Sequence, residues 1–202
     1  MKIFCIGRNY AAHAAEMNSN VPSKPMVFMK AENALLLDNQ ALYYPPFTEN
    51  LHYEVELVLK IDKPGKFIQP AYASGYYSQI ALGIDFTARD LQAKCKEKGH
   101  PWEIAKAFDH SAVLSKFIPI KDLKTDNIEF SLKRNEELVQ HGFSNNMIFN
   151  FDHLIVYISN FFSLQAGDLI YTGTPEGVGP VSVGDKLEGY IQAQKMFECE
   201  IK

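Results

Sequence analysis

Glu54 and Glu56 stand two positions apart in the stretch His52-Tyr53-Glu54-Val55-Glu56-Leu57. On a strand this spacing turns both carboxylates to one face, where they repel unless a cation offsets their charge. Carboxylate oxygens suit hard divalent ions such as magnesium, manganese or calcium. The same spacing also fits the solvated face of a half-buried strand, so the pair alone leaves both readings open. Asp85 adds to it, because it closes the apolar run Ile80-Ala81-Leu82-Gly83-Ile84. A buried carboxylate needs a partner. Arg89, four residues on, would make that partner a structural ion pair. A cation shared with Glu54 and Glu56 would make it a metal site. No cysteine and histidine set at zinc spacing competes for the assignment.

His13 and Glu16 are three apart, which makes them neighbours on a helical turn. A carboxylate beside an imidazole orients it and raises its basicity, as a general base requires. An exposed His–Glu pair is the plain alternative. Lys106 lies in the apolar segment Ile104-Ala105-Lys106-Ala107-Phe108, just after Trp102. There it could bind a substrate carboxylate or stabilise an enolate, or it could extend to the surface. The loop Thr172-Gly173-Thr174-Pro175-Glu176-Gly177-Val178-Gly179-Pro180 offers backbone N–H and hydroxyl donors to an anion. It is neither a Walker loop nor a dinucleotide fingerprint. Lys94, Lys96 and Lys98 read as a solvated helix face.

These groups must be held by mostly extended elements. Strands are expected at residues 2–6, 26–30, 41–44, 52–61 and 78–86. The period-two pattern of 52–61 is that of a half-buried strand. Further strands are expected at 127–133, 137–141, 168–172, 186–192 and 195–201, with a hairpin turn at Asn135-Glu136. Helices are expected at 10–17, at 88–98 with Thr87 as cap and Gly99 as stop, and at 151–164. The result is a β-rich α+β domain with a mixed or antiparallel core.

Bulk composition narrows the function classes. The 202 residues are 47% hydrophobic with net charge −4, enough to bury a core without disulfides. That charge gives no reason to expect nucleic acid or an anionic membrane as partner. Three scattered cysteines make no disulfide framework, which favours a reducing compartment. No apolar run is long enough for a bilayer, and no leader precedes the first strand, so a cytoplasmic protein is expected.

The order of these motifs is distinctive. Gly7-Arg8-Asn9-Tyr10-Ala11 with His13 and Glu16-Met17 comes first. His52, Glu54, Glu56-Leu57 and Asp85, Thr87-Ala88-Arg89-Asp90, Gln92 follow. Then come Lys94-Cys95-Lys96, Lys98-Gly99, Pro101-Trp102, Ala105-Lys106 and the Thr172–Pro180 loop. This series resembles the fumarylacetoacetate hydrolase family over nearly the whole chain, and most closely its short acylpyruvase and oxaloacetate decarboxylase members. The resemblance implies one catalytic domain over 1–202 with the family's β-rich fold, a mixed sheet roll or sandwich with few helices, as a homodimer. It implies Glu54, Glu56 and Asp85 as ligands of Mg2+, with Mn2+ an alternative, and Lys106 as a substrate-contacting lysine. Arg89, Gln92 and Thr174 would bind substrate. His13 and Glu16 would activate water from a lid at 10–24. Glu176 replaces a frequent lysine, a change that bears on substrate preference.

The implied activity is cleavage of the C–C bond of acylpyruvates, or decarboxylation of oxaloacetate, through a metal-stabilised enolate. The alternative is an isomerase or tautomerase of hydroxydienedioate-type substrates or of oxaloacetate. A binding protein with a degenerate site and a calcium-stabilised structural domain are the non-enzymatic readings.

Overall fold

The computed structural model describes residues 1–17, 19–37, 39–123 and 127–202. The chain forms β1 (Ile3–Gly7), α1 (Ala11–Glu16), β2 (Met26–Lys30), β3 (Leu35–Leu36), β4 (Leu51–Tyr53), β5 (Val55–Lys60), β6 (Gln79–Asp85) and β7 (Thr87–Ala88). Then come α2 (Arg89–Lys98), α3 (Glu103–Lys106), β8 (Ala112–Leu114), β9 (Ile118–Pro119), β10 (Glu129–Arg134) and β11 (Glu137–Phe143). The last part holds α4 (Phe151–Phe161), β12 (Leu169–Tyr171), β13 (Gly179–Pro180), β14 (Lys186–Ile191) and β15 (Gln194–Glu200).

A curled eight-stranded sheet runs β2-β1-β12-β5-β6-β8-β3, with β9 also paired to β6. Its pairs are antiparallel except β1 with β12 and β3 with β8. A second sheet runs β11-β10-β14-β15, and a small third one runs β13-β4-β7. The fold is therefore α+β, mostly strand, as the motif order implies.

The main core lies between the two large sheets. Phe4, Ile6, Leu57, Leu59 and Leu82 meet Phe130, Leu132, Leu187 and Phe197, and α4 adds Leu154, Ile155 and Ile158. The opposite face of the large sheet is buried too, under Ile3, Cys5, Val58, Ala81, Leu114, Leu169 and Tyr171. This corrects the half-buried reading of 52–61. Its period-two alternation separates two buried faces, one of which carries Glu54, Glu56 and Val58.

Other boundaries shift for identifiable reasons. The strand expected at 41–44 reduces to one bridge, Leu42 with Ile201. Thr87 does not cap α2. It lies in β7, its hydroxyl donates to the Asp85 carbonyl at 3.3 Å, and Ala88 takes the cap position without a side-chain bond. Gly99 stops α2 in the left-handed region at φ +67°. Asn135 and Glu136, both at positive φ, turn β10 into β11. The helix expected to 164 ends at Phe161. The expected lid, 10–24, includes α1. Asn18 within it lies outside the described residues.

Candidate active site

β5 and β6 pair antiparallel with Val55 opposite Ile84 and Glu56 opposite Gly83. The Asp85 N–H donates to the Glu54 carbonyl at 2.8 Å, just past the end of this ladder. Glu54 breaks the strand between β4 and β5. Register and pleat thus place Glu54, Glu56 and Asp85 together at one end of one sheet face. All three are buried, and one carboxylate oxygen from each lies within 4.8 Å of the others.

Their charges are offset unequally. The Lys106 ammonium bridges Glu54 Oε2 and Asp85 Oδ2, each at 2.7 Å. Arg89 Nη2 holds Glu54 Oε1 at 2.6 Å, and its Nη1 donates to Gln92 Oε1 at 2.8 Å. Arg89 therefore partners Glu54 rather than Asp85, because α2 runs back across β4. Asp85 takes its second cation from Lys30, whose Nζ lies 2.8 Å from Oδ1. That approach is off the hydrogen-bonding direction, so Oδ1 carries no hydrogen bond. Lys30 donates instead to the Lys106 carbonyl, to Ser111 O at 3.1 Å and to Ser111 Oγ at 2.9 Å.

Glu56 has no cation among the described residues. Among the described residues its hydrogen-bond partner is the Gly173 N–H, 2.8 Å from Oε2. Burial, then the Asp85 and Glu54 charges, push its carboxyl well above the usual range. Burial pushes Glu54 the same way, but Lys106 and Arg89 prevail and hold it well below that range. Lys106 is lowered by burial, yet Asp85 and Glu54 prevail and push it up to about 12, so it remains an ammonium. A divalent cation fits this donor set. Three hard oxygen donors converge, Asp85 Oδ1 has no hydrogen bond, and Glu56 has no counter-charge.

The Thr172–Pro180 loop closes one wall. Gly173 sits at φ +103°, and a Cβ there would come 2.6 Å from the Asn9 side chain. Glycine thus brings its N–H to Glu56 while the loop packs on the Gly7–Tyr10 turn. Asn9 joins the two motifs. Its amide donates to Thr172 O at 2.8 Å and Phe149 O at 2.9 Å, and its oxygen accepts from Phe149 N at 2.8 Å. Thr174 Oγ accepts from Gln140 Nε2 at 2.9 Å, and Gln140 Oε1 accepts from Val55 N.

His13 is buried on α1, with Nδ1 3.2 Å from Glu16 Oε2. The other Glu16 oxygen accepts from Gly177 N at 3.1 Å, which ties α1 to the same loop. The nine candidates from the sequence come together in two steps. His13, Glu54, Glu56, Asp85, Arg89, Gln92, Lys106 and Thr174 line one cleft. Glu16 backs His13 from behind. Lys94, Lys96 and Lys98 are all exposed, as the sequence suggests, and Lys96 also lines the cleft, its Nζ 5.5 Å from the Trp102 ring centre.

Lys30, Asn9 and Gln140 were not singled out from the sequence. Lys30 closes the apolar run Met26-Val27-Phe28-Met29, the same signal that marks Asp85. Asn9 and Gln140 act through partners more than thirty residues away and leave no local pattern.

The family model for the C-terminal part of fumarylacetoacetate (FAA) hydrolase matches residues 2–202. The chain belongs to this family. It is 41% identical over 201 residues to mouse (Mus musculus) mitochondrial oxaloacetate tautomerase FAHD1, covering 99% of this chain and 91% of that one. The Arabidopsis thaliana protein of the same name is 42% identical over 202 residues, covering 100% and 91%. Fumarylpyruvate hydrolase from Pseudomonas aeruginosa, solved with Mn2+ and pyruvate, superposes with TM-score 0.94 at 37% identity, covering 100% of this chain and 89% of that one. The 2-hydroxyhepta-2,4-diene-1,7-dioate isomerase of Mycobacterium marinum does so with 0.85 at 29%, covering 99% and 73%. These relatives are a hydrolase, tautomerases and an isomerase, so family members are enzymes. No helix among the described residues is long and apolar enough to cross a membrane.

Proposed function

We propose that this chain is a metal-dependent enzyme that moves a proton at the carbon beside the keto group of a 2-oxo acid, with oxaloacetate tautomerisation as its lead activity. One observation carries the reading: His13, backed by Glu16, and the ammonium of Lys106 line the same cleft as the three buried acids. Glu54, Glu56 and Asp85 would hold the cation, Mg2+ or Mn2+. Such a cation supplies a Lewis acid for the carboxylate and keto oxygens of a 2-oxo acid.

The chain's own residues supply the rest. Glu16 accepts from Nδ1 of His13, which leaves Nε2 as the basic nitrogen. A base in that position takes a proton from the carbon beside the keto group, the double bond shifts from C=O to C=C, and the oxygen takes up a proton to complete the tautomerisation with no carbon–carbon bond broken. Lys106 stays charged and faces the negative charge that develops on that oxygen. Arg89, Gln92 and Thr174 orient the substrate, with Gln140 holding the Thr174 hydroxyl. Residues 10–24 act as a lid, latched by Glu16 to Gly177, and exclude water when closed.

A second reading is hydrolysis of acylpyruvates, favoured by the same His13–Glu16 pair, which could activate water instead. The hydrolase relative with Mn2+ and pyruvate supports it. A panel of oxaloacetate, acetylpyruvate and fumarylpyruvate, with and without Mg2+ or Mn2+, separates the two. Tautomerisation alone supports the first reading, and metal-dependent release of pyruvate from acetylpyruvate or fumarylpyruvate supports the second. His13→Ala should abolish most hydrolysis. Full activity of Glu54→Ala would refute the metal assignment.

A further inference from the structure

Two further cations line the cleft. Arg8 and Lys96 both line it, and among the described residues neither makes an ion pair. The inner cations, Lys30, Lys106 and Arg89, are taken up by Glu54 and Asp85. Arg8 and Lys96 are therefore positive charge on the cleft walls that the inner acids do not take up.

Both are held in place. Arg8 has φ +58°, a left-handed conformation that long side chains adopt at a cost. The three hydrogen bonds of Asn9 fix the turn that imposes it. Lys96 follows Arg89 and Gln92 by seven and four residues on α2, which places all three on the cleft-facing side of that helix. Trp102, its ring tilted against that of Phe28 with centres 6.0 Å apart, lies beneath the Lys96 ammonium. Burial, then the charges of Arg89 and Arg8, lower the pKa of Lys96. Like charges held close in this way attract an anion.

We propose that Arg8 and Lys96 form a second anion subsite that takes the distal carboxylate of the substrate, so that this enzyme selects 2-oxo dicarboxylic acids over 2-oxo monocarboxylic acids. The inference rests on the 2-oxo acid reading above and deepens it. The first carboxylate and the keto oxygen are spent at the inner acids and Lys106. A carboxylate at the other end of a short chain then meets the two free cations.

The test uses 2-oxoglutarate and 2-oxopentanoate, which share a carbon count and differ in the distal carboxylate. Binding to the full-length, Mn2+-loaded protein is measured by calorimetry. The wild type should prefer 2-oxoglutarate by about tenfold or more, as a charge-assisted hydrogen bond allows. That preference should shrink as salt is raised. Lys96→Met keeps the stem beside Trp102, and Arg8→Asn tolerates the left-handed backbone. Each should lower the preference at least about fivefold, and each should raise KM for oxaloacetate more than it changes kcat. Thermal melts establish that both variants are folded. Equal affinity of the wild type for the two ligands, or the same loss for both ligands in the variants, would overturn the subsite. Failure of the loaded wild type to bind either ligand would strike the 2-oxo acid reading itself, and the subsite with it.

Discussion

Lys30→Met tests whether the acid cluster is balanced from beneath as well as from the cleft. Lys30 is fully buried, and its ammonium faces Asp85 while donating to backbone and hydroxyl oxygens of Lys106 and Ser111. Methionine matches the length of the stem but removes the charge and all of those donors. Breaking a buried pair by deleting one partner costs about 3–5 kcal/mol. For a chain of this size each kcal/mol lowers Tm by about 2–4 °C, so the metal-free variant should melt about 6–20 °C below wild type. Saturating Mn2+ should recover part of that gap, because an ion at the three acids offsets the Asp85 charge that Lys30 no longer faces. It should not recover all of it, because the Lys106 and Ser111 carbonyls each keep one donor but lose the ammonium that also served them. Calorimetric melts of both proteins, with and without Mn2+, measure the two gaps. A metal-free Tm within about 2 °C of wild type would refute the argument. A gap that Mn2+ leaves unchanged would refute the part that assigns Asp85 to the ion.

Other outcomes follow from the same geometry. The Glu56 carboxyl, raised by burial and by Asp85 and Glu54, holds its proton above the usual carboxylate range, and an ion must displace that proton. Divalent affinity should therefore rise with pH, by up to about tenfold per unit, until Glu56 ionises unaided. Calorimetry in buffers of different ionisation enthalpy should find about one proton released per ion at the acid end, and none in Glu56→Gln. Gly177→Ala places a Cβ 2.3 Å from the Val139 carbonyl at φ +92°, so the loop must move and its hold on Glu16 weakens. A stability loss of about 1–3 kcal/mol in urea, with faster hydrogen exchange over α1, is expected. In the wild type, oxalate with Mg2+ should slow exchange over residues 10–17. Equal exchange with and without ligand would count against a lid.

What could be read from the sequence was what local spacing encodes. Glu54 and Glu56 share a face because strands have period two, and Asp85 lies at a buried strand end because its apolar run closes there. Gly99 and the Asn135-Glu136 turn declare themselves by backbone chemistry. The order of the motifs identified the family, and with it the fold. Other features depend on which distant strand lies alongside. Burial of both faces of β5 needed β1, β12 and the second sheet in place, so its alternation suggested solvent where there is none. The Arg89–Glu54 pairing depends on α2 folding back over β4, whereas Asp85 was nearer in sequence. Gln140 serves the cleft from the other sheet, through Val55 and Thr174.

The parallel pairing of β1 with β12 sets the order of events during synthesis. Residues 7–17 are made well before residues 149–177, yet the turn at Asn9 is tied to Phe149 and Thr172, and Glu16 to Gly177. Between them the nascent chain carries three acids and their lysines without the loop that covers Glu56. A competent cleft cannot close until the last part of the chain has been made, and its two ends must find each other across a long separation. Truncation from the C-terminus should therefore remove the site all at once rather than by degrees.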